Sequence, residues 1–548
     1  MADRQDRRWW SLGVLAAGLS MIVLDGTIVG VALPTIISDL QLDLSDAQWV
    51  NALYAVVFAA LLMSFGRLGD LIGRRSVFVT GIVIFVGGSI LAAMASSGAA
   101  LIAARAVQGV GGAMVLPSSL STVNATFRGR DRAAAFGVWG AVMAGMAAIG
   151  PLLGGWLTTS FTWPWIFWVN VPIGVLVIAG AIAVTPNTRG EADGETGFDW
   201  GGLVLSVVGF GAFVFAIIEG PSLGWWTPKA DLDLFGITWP ATRPVSIVPI
   251  ILAIGLVFIG AFIAWQRTRL RQGRSVILNL SLFRIPTFSW GNLTAMAVAV
   301  GEFALVFVLP LYLVGVLGLT TLGAGWVLAA MALGAFISGA MARRVSARLG
   351  APRVVILGLV LEVVGVSLTA LFMGKEASPV VIGAVLMVYG VGLGLASAQL
   401  TSTVLGDIPP ERSGQGSATQ STVRQVGSAI GTAASGSALA AGLTHFLTSK
   451  LDAISGLSAA QVTKLVDATS ASVGGNLSGM KEAAAAGRLG PDGQAIVDAL
   501  LNGFASAASL AVWVAAGFLV LGLIGSVRVW MAHRDTHPTG DVVETAAR

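Results

Sequence analysis

The sequence predicts an all-α polytopic membrane protein, and two observations lead to that prediction. Of the 548 residues, 55% are hydrophobic and only 11% are charged, whereas a soluble globular chain has about 25% charged residues. Apolar runs of about 20 residues, each long enough to cross a bilayer as a helix, also recur from end to end. A transmembrane β-barrel would show short alternating segments instead.

The apolar runs predict fourteen spans, at about 11–33, 46–67, 77–96, 99–121, 134–157, 166–184, 200–219, 246–265, 287–312, 322–341, 354–373, 378–404, 420–445 and 503–528. The basic start "MADRQDRRWW" resembles a signal peptide, but Asp25 interrupts the run that follows and no small-residue cleavage site comes after it. We therefore expect a retained first span. An even number of spans puts both termini on one side of the membrane.

The distribution of basic residues predicts which side that is. Most of the 32 Lys and Arg residues fall in loops on the side of the termini, so both termini are expected in the cytoplasm. The excess of arginine over lysine is typical of a GC-rich bacterial genome, which indicates a bacterial inner membrane. The chain has no cysteine and a net charge of only +4. We therefore expect no disulfide, no metal site, no cofactor and no nucleic-acid partner.

The chain also matches itself in its two halves. At shifts of 276 to 281 residues, matches occur in order across five successive spans: Pro34 with Pro310, Trp49 with Trp326, Gly81 with Gly358, 109–111 with 390–392, and 149–150 with 430–431. We infer an N-terminal six-helix bundle (1–185), a linker with two extra spans (186–286) and a C-terminal six-helix bundle (287–548). Repeated halves around a midplane site are typical of secondary transporters.

A long segment at about 446–502 is predicted on the outer side, between spans thirteen and fourteen. Two stretches in it, "SAAQVTKLVDATSASV" and "GPDGQAIVDALLNGF", are expected to form short amphipathic helices. They would form either a lid over the outer mouth or a solvated hairpin with no part in transport. The sequence leaves both alternatives open.

Acidic residues inside apolar spans are the main candidates for function. Asp25 lies nine residues before Pro34, and Glu302 lies eight residues before Pro310. An unpaired carboxylate in hydrocarbon costs at least about 2.5 kcal/mol, so it faces water, pairs with a cation or takes up a proton. We expect both acids to share a solvated chamber and to hold protons or a cationic substrate. The alternative is a buried ion pair that only fixes helix packing, and Glu362, in "LGLVLEVVG", is a further candidate without a counterpart in the first half.

Arg105, in "LIAARAVQGVGGAM", lies well inside a span and needs a carboxylate partner. Asp25 is the expected partner, and protonation of Asp25 would break the pair. Gln108 follows three residues later on the same helix face. The alternative is a static structural pair. The "GVGG" within this stretch follows no strand and lacks the GK[ST] of a phosphate loop, so nucleotide binding is not expected.

Two glycine-containing motifs point to conformational change. "GMAAIGPLLGG" in the fifth span indicates either a bend or ordinary small-residue packing, through Gly145, Gly150, Pro151, Gly154 and Gly155. "GRLGDLIGRR" (66–75) is a tight basic turn after the second span, with Gly66, Asp70, Gly73, Arg74 and Arg75. Asp70 is expected to act as a latch that binds a helix N-terminus in one conformation, whereas the arginines alone would be a topology signal.

Together these motifs resemble the major facilitator superfamily, specifically its fourteen-span drug:proton antiporter branch. "LDGTIVGVALP" (24–34) resembles the first-helix motif, 66–75 the loop signature, "RAVQGVGGA" (105–113) the fourth-helix motif, "GPLLGG" (150–155) the antiporter signature, and "TVRQVGSAIG" (422–431) a later conserved segment. The resemblance implies the major facilitator fold, a role for Arg105 in proton transfer, and energy from a proton gradient. Gly30, Leu71 and Pro164 depart from the usual motif residues.

The sequence therefore predicts a proton-coupled exporter of lipophilic, cationic drugs that works by alternating access as a monomer. Its partners would be a small-molecule substrate, protons and membrane lipids. Candidate cavity residues are Gln108, Trp139, Trp290 and Arg424, although each tryptophan has lipid contact as its alternative. Two other hypotheses are an exporter of a lipid or endogenous metabolite with the same fold, and a membrane receptor that transports nothing.

Overall fold

The computed structural model describes residues 2–127, 129–189, 199–234, 237–408, 413–454, 457–489 and 491–536. Nearly all of them are helical. In hydrocarbon the backbone finds no water to bond, so each spanning segment has to satisfy its own N–H and C=O groups, and a helix does so.

The first half of the chain forms seven helices: α1 (Ala2–Leu40), α2 (Leu44–Ile72), α3 (Arg74–Ala93), α4 (Gly98–Thr126), α5 (Gly129–Ser160), α6 (Trp165–Trp168) and α7 (Asn170–Val184). Side-chain caps mark two of the starts. Asp43 accepts a hydrogen bond from Asp46 N at the start of α2, and Ser97 accepts one from Ala100 N at the start of α4.

Two helices follow in the middle of the chain, α8 (Trp200–Leu223) and α9 (Val248–Arg271). Between them, strands β1 (Leu232–Leu234) and β2 (Ile237–Trp239) pair as an antiparallel hairpin. Asp199 caps α8 by accepting a hydrogen bond from Gly202 N at 2.9 Å. A short 3-10 helix, Leu280–Arg284, then leads into the second half.

The second half contains eight helices: α10 (Pro286–Gly315), α11 (Thr321–Leu349), α12 (Ala351–Phe372), α13 (Pro379–Leu405), α14 (Ser413–Asp452), α15 (Ala459–Ala471), α16 (Leu477–Ala485) and α17 (Gly493–Thr536). We call the end of the bundle at which α1 ends and α2 begins the distal face, and the opposite end, where α1 begins, the proximal face.

The described residues contain 13 helices that are long and apolar enough to cross a membrane. They coincide with thirteen of the predicted spans, and the remaining prediction, 134–157, falls within α5. The predicted structure of 446–502 was partly wrong. Helix α15 is one of the two short helices expected there, but the second stretch is the first part of α17, and α14 continues to Asp452. At 40 and 44 residues, α14 and α17 extend well beyond the hydrocarbon thickness.

The two halves repeat the same helix crossings. Gly81 of α3 packs on Gly111 of α4 so closely that a Cβ on Gly111 would lie 2.7 Å from the Gly81 carbonyl oxygen. Gly358 of α12 packs on Gly392 of α13 in the same way, with a corresponding distance of 2.7 Å from a Gly358 Cβ to the Gly392 oxygen. Gly81 matches Gly358 and Gly111 matches Gly392 in the sequence repeat. The repeat therefore corresponds to the same close helix crossing in both halves. The boundaries at residues 185 and 286 stay a prediction.

The halves meet mainly along two seams, one formed by α2 and α14 and the other by α5 and α11, and α1 also contacts α10. Helix α8 packs against both α2 and α14, and α9 packs against α8. The two inserted helices therefore lie beside one of the seams rather than between the bundles.

Candidate functional site

An ion pair between Asp25 of α1 and Arg105 of α4 lies inside the first half. Arg105 Nη1 donates a hydrogen bond to Asp25 Oδ2. Both side chains are buried, with 0% and 1% of their surface exposed. The predicted pairing of Arg105 with Asp25 is confirmed. Because a single buried charge in hydrocarbon is costly, the pair explains how both residues are tolerated there.

The guanidinium of Arg105 has further partners. Its Nε donates to the carbonyl oxygen of Val50 at 3.1 Å, and its Nη1 donates to Gln108 Oε1 at 2.8 Å. Its Cζ lies 4.3 Å from the centroid of the Tyr54 ring, which is cation–π distance. These contacts hold the guanidinium between α2 and α4 independently of Asp25.

Amide and hydroxyl groups complete the network around Asp25. Gln108 Nε2 donates to Asp25 Oδ1 at 3.0 Å and to Ser89 Oγ at 2.8 Å. Asn170 Nδ2 donates to Ser89 Oγ at 3.2 Å and lies 3.5 Å from Asp25 Oδ1. Ser89, Gln108 and Asn170 are all buried. The resulting network joins α1, α3, α4 and α7 through five polar side chains.

Ser89 and Asn170 were not predicted from the sequence. Each is a single polar residue in an apolar run, in "VGGSIL" and "WVNVP". That position is the one signal that could have identified them, since a polar side chain in hydrocarbon needs a partner. Gln108 was predicted as a cavity residue, but in this conformation it is 0% exposed and bonded within the network.

A second charged pair lies in the second half. Arg424 Nη2 of α14 is 3.4 Å from Glu302 Oε2 of α10. In contrast to the first pair, these side chains are 37% and 22% exposed. Glycines bring the two helices together, since Gly427 packs on the carbonyl of Met296 and Gly431 on that of Val300. Because both side chains are partly exposed, the pair has room to rearrange.

Glu302 lies close to a contact between the two halves. Val306, one helical turn further along α10, contacts Gly30 of α1 across the halves, where a Cβ would lie 2.7 Å from Val306 Cγ1. Gly26 is one turn before Gly30, and a Cβ there would meet nothing within 4 Å. Gly26 thus has open space beside it, and Glu302 is partly exposed one turn before the same contact.

The expectation that Asp25 and Glu302 share one solvated chamber was wrong for this conformation. Asp25 has no exposed surface, whereas Glu302 is partly exposed. The reason is a one-residue offset: Gly26, and not Asp25, is eight residues before its proline, as Glu302 is. One residue rotates a side chain by about 100° around a helix. Asp25 therefore points into its own bundle.

Glu362 of α12 occupies a third position. It is fully buried, and its two carboxyl oxygens have no hydrogen-bond partner among the described residues. It lies against α13, where a Cβ on Gly392 would be 3.0 Å from Glu362 Cγ. Since an unpartnered ionised carboxylate is very costly to bury, the neutral acid is the form that this position tolerates.

Trp290, one of the two tryptophans predicted to line the cavity, does not contribute to the Glu302–Arg424 site. Trp290 lies twelve residues before Glu302 on α10, which is about 18 Å along the helix. Its ring centroid is 6.0 Å from Arg528 Cζ of α17, near the proximal face. The side chain of Trp139 lies outside the described residues.

The glycines of "GPLLGG" bring α5 close to two other helices. A Cβ on Gly150 would collide with Thr27 of α1, and one on Gly154 would lie 2.8 Å from Ile28 Cγ1. A Cβ on Gly155 would lie 2.8 Å from the Thr321 carbonyl oxygen of α11. Pro151 packs on α11 as well, at Gly325. Small-residue packing is therefore one function of this motif, and the side-chain position of Gly145 lies outside the described residues.

Close contacts join the two halves at the distal face. The hydrogen bonds there are Thr35 Oγ1 with Thr321 Oγ1 at 3.0 Å, Leu322 N to Thr159 Oγ1 at 3.2 Å, and Gln48 Nε2 to Ala433 O at 3.4 Å. Since α11 begins and α1 and α5 end at this face, the contacts close the distal ends of both bundles against each other.

The basic turn at 66–75 joins α2 to α3 at the proximal face. Gly73 has a φ of +113°, a conformation that favours glycine. Arg74 Nη1 donates to the Ser121 carbonyl at 3.1 Å, and Arg75 Nη1 lies 3.4 Å from the Thr185 carbonyl. Gly66 packs on Pro117 of α4. The arginines thus fasten the turn to the ends of α4 and α7, while the side chain of Asp70, and with it the predicted latch, lies outside the described residues.

Two repeated helical bundles with charged groups at mid-membrane positions define a membrane transporter. A family model described as Major Facilitator Superfamily matches residues 15–432. The chain belongs to the Major Facilitator Superfamily, as its motifs predicted. It is a multi-pass membrane transporter, and not an enzyme.

Individual relatives agree with this assignment. The chain is 28% identical to the multidrug transporter protein MdtP of Bacillus subtilis, over 82% of this chain and 78% of that one. It is 30% identical to the multidrug efflux pump LfrA of Mycolicibacterium smegmatis, over 86% of each chain. A solved structure of a bacterial homolog to the human lysosomal transporter Spinster covers 96% of this chain and 98% of its own, with a TM-score of 0.60 and 16% identity, and shares the fold.

Proposed function

We propose that this protein is a proton-coupled exporter of lipophilic cationic drugs that works by alternating access. One observation supports this most directly: the Glu302–Arg424 pair is partly exposed and lies one helical turn from the contact of α10 with α1 across the halves. The named multidrug relatives support a drug-like cargo. We also propose that both termini are cytoplasmic, that the membrane is the bacterial inner membrane, and that the protein is a monomer powered by the proton gradient.

Glu302 is the proposed meeting point of proton and cargo. Its carboxylate attracts a cationic group, and Arg424 already competes for it at 3.4 Å. A proton on Glu302 cancels its negative charge, which weakens both its attraction to Arg424 and its affinity for a cation. Proton and cargo therefore exclude each other at this residue, and this exclusion is the condition for exchange.

Asp25 is the proposed second coupling group. It is buried with Arg105 while the distal face is closed, so it does not touch cargo in this conformation. Taking up a proton would remove its attraction for Arg105 and release the guanidinium to its other partners. Two acids permit two protons for each cargo molecule.

The test is transport by purified protein in proteoliposomes with an imposed pH gradient and a panel of lipophilic cations. We expect Glu302→Gln to abolish gradient-driven transport of cations. The matched control is Glu376→Gln, since Glu376 is 86% exposed in the loop between α12 and α13. Gradient-driven transport of cations by the Glu302→Gln variant at the wild-type rate would contradict the proposal.

The number of protons is tested by collapsing the membrane voltage alone. A voltage of 100 mV is worth about 2.3 kcal/mol for each charge moved. Exchange of two protons for one monovalent cation moves net charge, so export slows when the voltage is removed. Export that is indifferent to voltage would mean one-for-one exchange.

Arg424 favours a second candidate function, the export of an endogenous metabolite with an acidic group. At 37% exposure, it offers a guanidinium to an anionic cargo at the same site. Under this alternative, Arg424→Gln abolishes transport of acidic compounds and spares cations. Under the first proposal, cations are affected by Glu302→Gln, and acidic compounds are not transported by the wild type.

A further inference from the structure

Helix α8 of the insert contacts both halves of the transporter at one seam. Its residues join α2 and α14 in a single buried apolar cluster made of Ala52, Ala55, Val56, Val214, Ile218, Ala429 and Ala433. An inserted pair of helices that only added membrane area would need contact with one half. Polar contacts of α8 lie on both sides of the seam.

On the side of the first half, α8 accepts a hydrogen bond from α2. Trp49 Nε1 donates to Glu219 Oε1 at 2.7 Å. The Trp49 ring also packs on Phe215 of α8, with centroids 5.8 Å apart. Both groups are near the distal face, because α2 begins five residues before Trp49 and α8 ends four residues after Glu219.

On the side of the second half, α8 accepts a hydrogen bond from α14. Ser437 Oγ donates to the Ile217 carbonyl oxygen at 2.7 Å. In a regular helix this carbonyl would accept from the N–H four residues later. That residue is Pro221, which lies inside α8 and has no N–H. Ser437 therefore supplies the donor that the α8 backbone lacks, so this bond has a specific structural cause.

The base of α8 is held firmly at the other end. The buried carboxylate of Asp199 accepts hydrogen bonds from Trp265 Nε1 at 2.8 Å and Gln266 Nε2 at 2.7 Å, both on α9. Arg269 of α9 in turn donates to the Ser275 carbonyl at 2.8 Å, in the segment that leads to α10. These bonds tie the proximal ends of α8 and α9 to each other and to the segment that leads to α10.

We propose that α8 is a clamp across the α2–α14 seam that holds the distal face closed. The proposal rests on the alternating-access function proposed above, in which the halves separate at the distal face to release cargo. Separation moves Trp49 and Ser437 apart, and α8 cannot follow both. At least one of the two hydrogen bonds breaks in each cycle, and the inserted helices thereby set the population of the distally open state.

The absence of native cysteine makes the test direct. Thr321→Cys introduces one thiol at a distal position that is 9% exposed, so a membrane-impermeant maleimide labels it when the face opens. A net hydrogen bond of about 0.5–1.5 kcal/mol corresponds to a change of about two- to tenfold in an equilibrium. We expect Trp49→Phe and Ser437→Ala each to accelerate labelling by about that factor.

Matched controls separate the clamp from general loosening. Trp239→Phe removes an indole hydrogen bond to the Val245 carbonyl within the insert, at 3.1 Å, and Ser509→Ala removes a serine bond to the Ala370 carbonyl within the second half, at 2.8 Å. Both are expected to label like the parent. Glu219→Gln keeps an acceptor for Trp49 and is also expected to label like the parent, whereas Glu219→Leu labels faster.

The outcomes are distinct. Equal labelling of the clamp variants and the controls would overturn the clamp, and so would labelling that is absent in every variant, since a clamp that never opens regulates nothing. The measurement needs neither cargo nor a proton gradient. A wrong assignment of cargo or of coupling protons would therefore appear in the transport assay and leave the labelling result unchanged.

Discussion

Removal of one partner from the Asp25–Arg105 pair should destabilise the protein far more than removal of both. Asp25→Leu leaves Arg105 with the neutral Val50 and Gln108 acceptors and the Tyr54 ring, but without its opposite charge. Breaking a buried pair from one side costs about 3–5 kcal/mol. Arg105→Met should cost a similar amount, because it leaves Asp25 unpaired.

The double variant should cost much less than the two single variants together. Replacing both charges with apolar side chains is close to neutral in other buried pairs. Here it leaves Gln108 Oε1 without its donor, which costs about 1–3 kcal/mol. The coupling energy between the two sites should therefore be about 3 kcal/mol or more, favouring the intact pair.

The assay is equilibrium unfolding by SDS in bicelles, applied to the wild type, both single variants and the double variant. The control cycle uses Lys375 and Asp498, which are 3.2 Å apart and 27% and 40% exposed. An exposed pair of this kind couples by at most about 1 kcal/mol. If the single losses at Asp25 and Arg105 simply add, to within about 0.5 kcal/mol, the buried pair has no special coupling and the reasoning fails.

Two further substitutions test the packing of the distal seam and of the insert. Gly155→Ala places a Cβ 2.8 Å from the Thr321 carbonyl oxygen, so it should cost about 1–3 kcal/mol of stability and lower the melting temperature. In the control Gly13→Ala, the new Cβ meets no neighbour within 4 Å, so this variant should be neutral or stabilising. Equal melting temperatures of the two variants would contradict this prediction. Asp199→Ala removes the cap of α8 and the acceptor for Arg269, which lies 3.4 Å away. It should lower the free energy of unfolding by at least about 1 kcal/mol in the same bicelle titration. An unchanged midpoint would show that the stability of the inserted helices does not depend on Asp199.

The fold could be predicted from the sequence because the bilayer imposes simple lengths. Apolar runs located the spans, and repeated glycines such as Gly81 and Gly358 located equivalent crossings. The ends of the helices could not be predicted in the same way. Hydropathy detects the hydrocarbon thickness of about 30 Å, whereas α14 has 40 residues and continues into polar sequence. The predicted loop at 446–502 was partly wrong for that reason.

The candidate site could be predicted only where a charged residue in a span required a partner of opposite charge. Arg105 had to find a carboxylate within reach, and Asp25 was the acid at a matching depth. Ser89 and Asn170 also need hydrogen-bond partners, but a neutral polar residue does not indicate which partner it has, and many such residues pack in membranes without a function. The prediction that Asp25 and Glu302 share a chamber was wrong for this conformation. The sequence comparison treated the two acids as equivalent, but they differ by one residue in their distance from Pro34 and Pro310. That difference puts the two side chains on different faces of their helices.

The two halves have thus kept the same backbone crossings and diverged in their polar sites. In the first half the acid is surrounded by fixed amide donors and has no exposed surface. In the second half, Glu302 is partly exposed and lies 3.4 Å from Arg424, which is partly exposed as well. We therefore expect substitutions at Glu302 and Arg424 to change which compounds are transported. Substitutions at Asp25 and Arg105 should affect every compound equally, because that pair can act on cargo only through the conformation of the bundle.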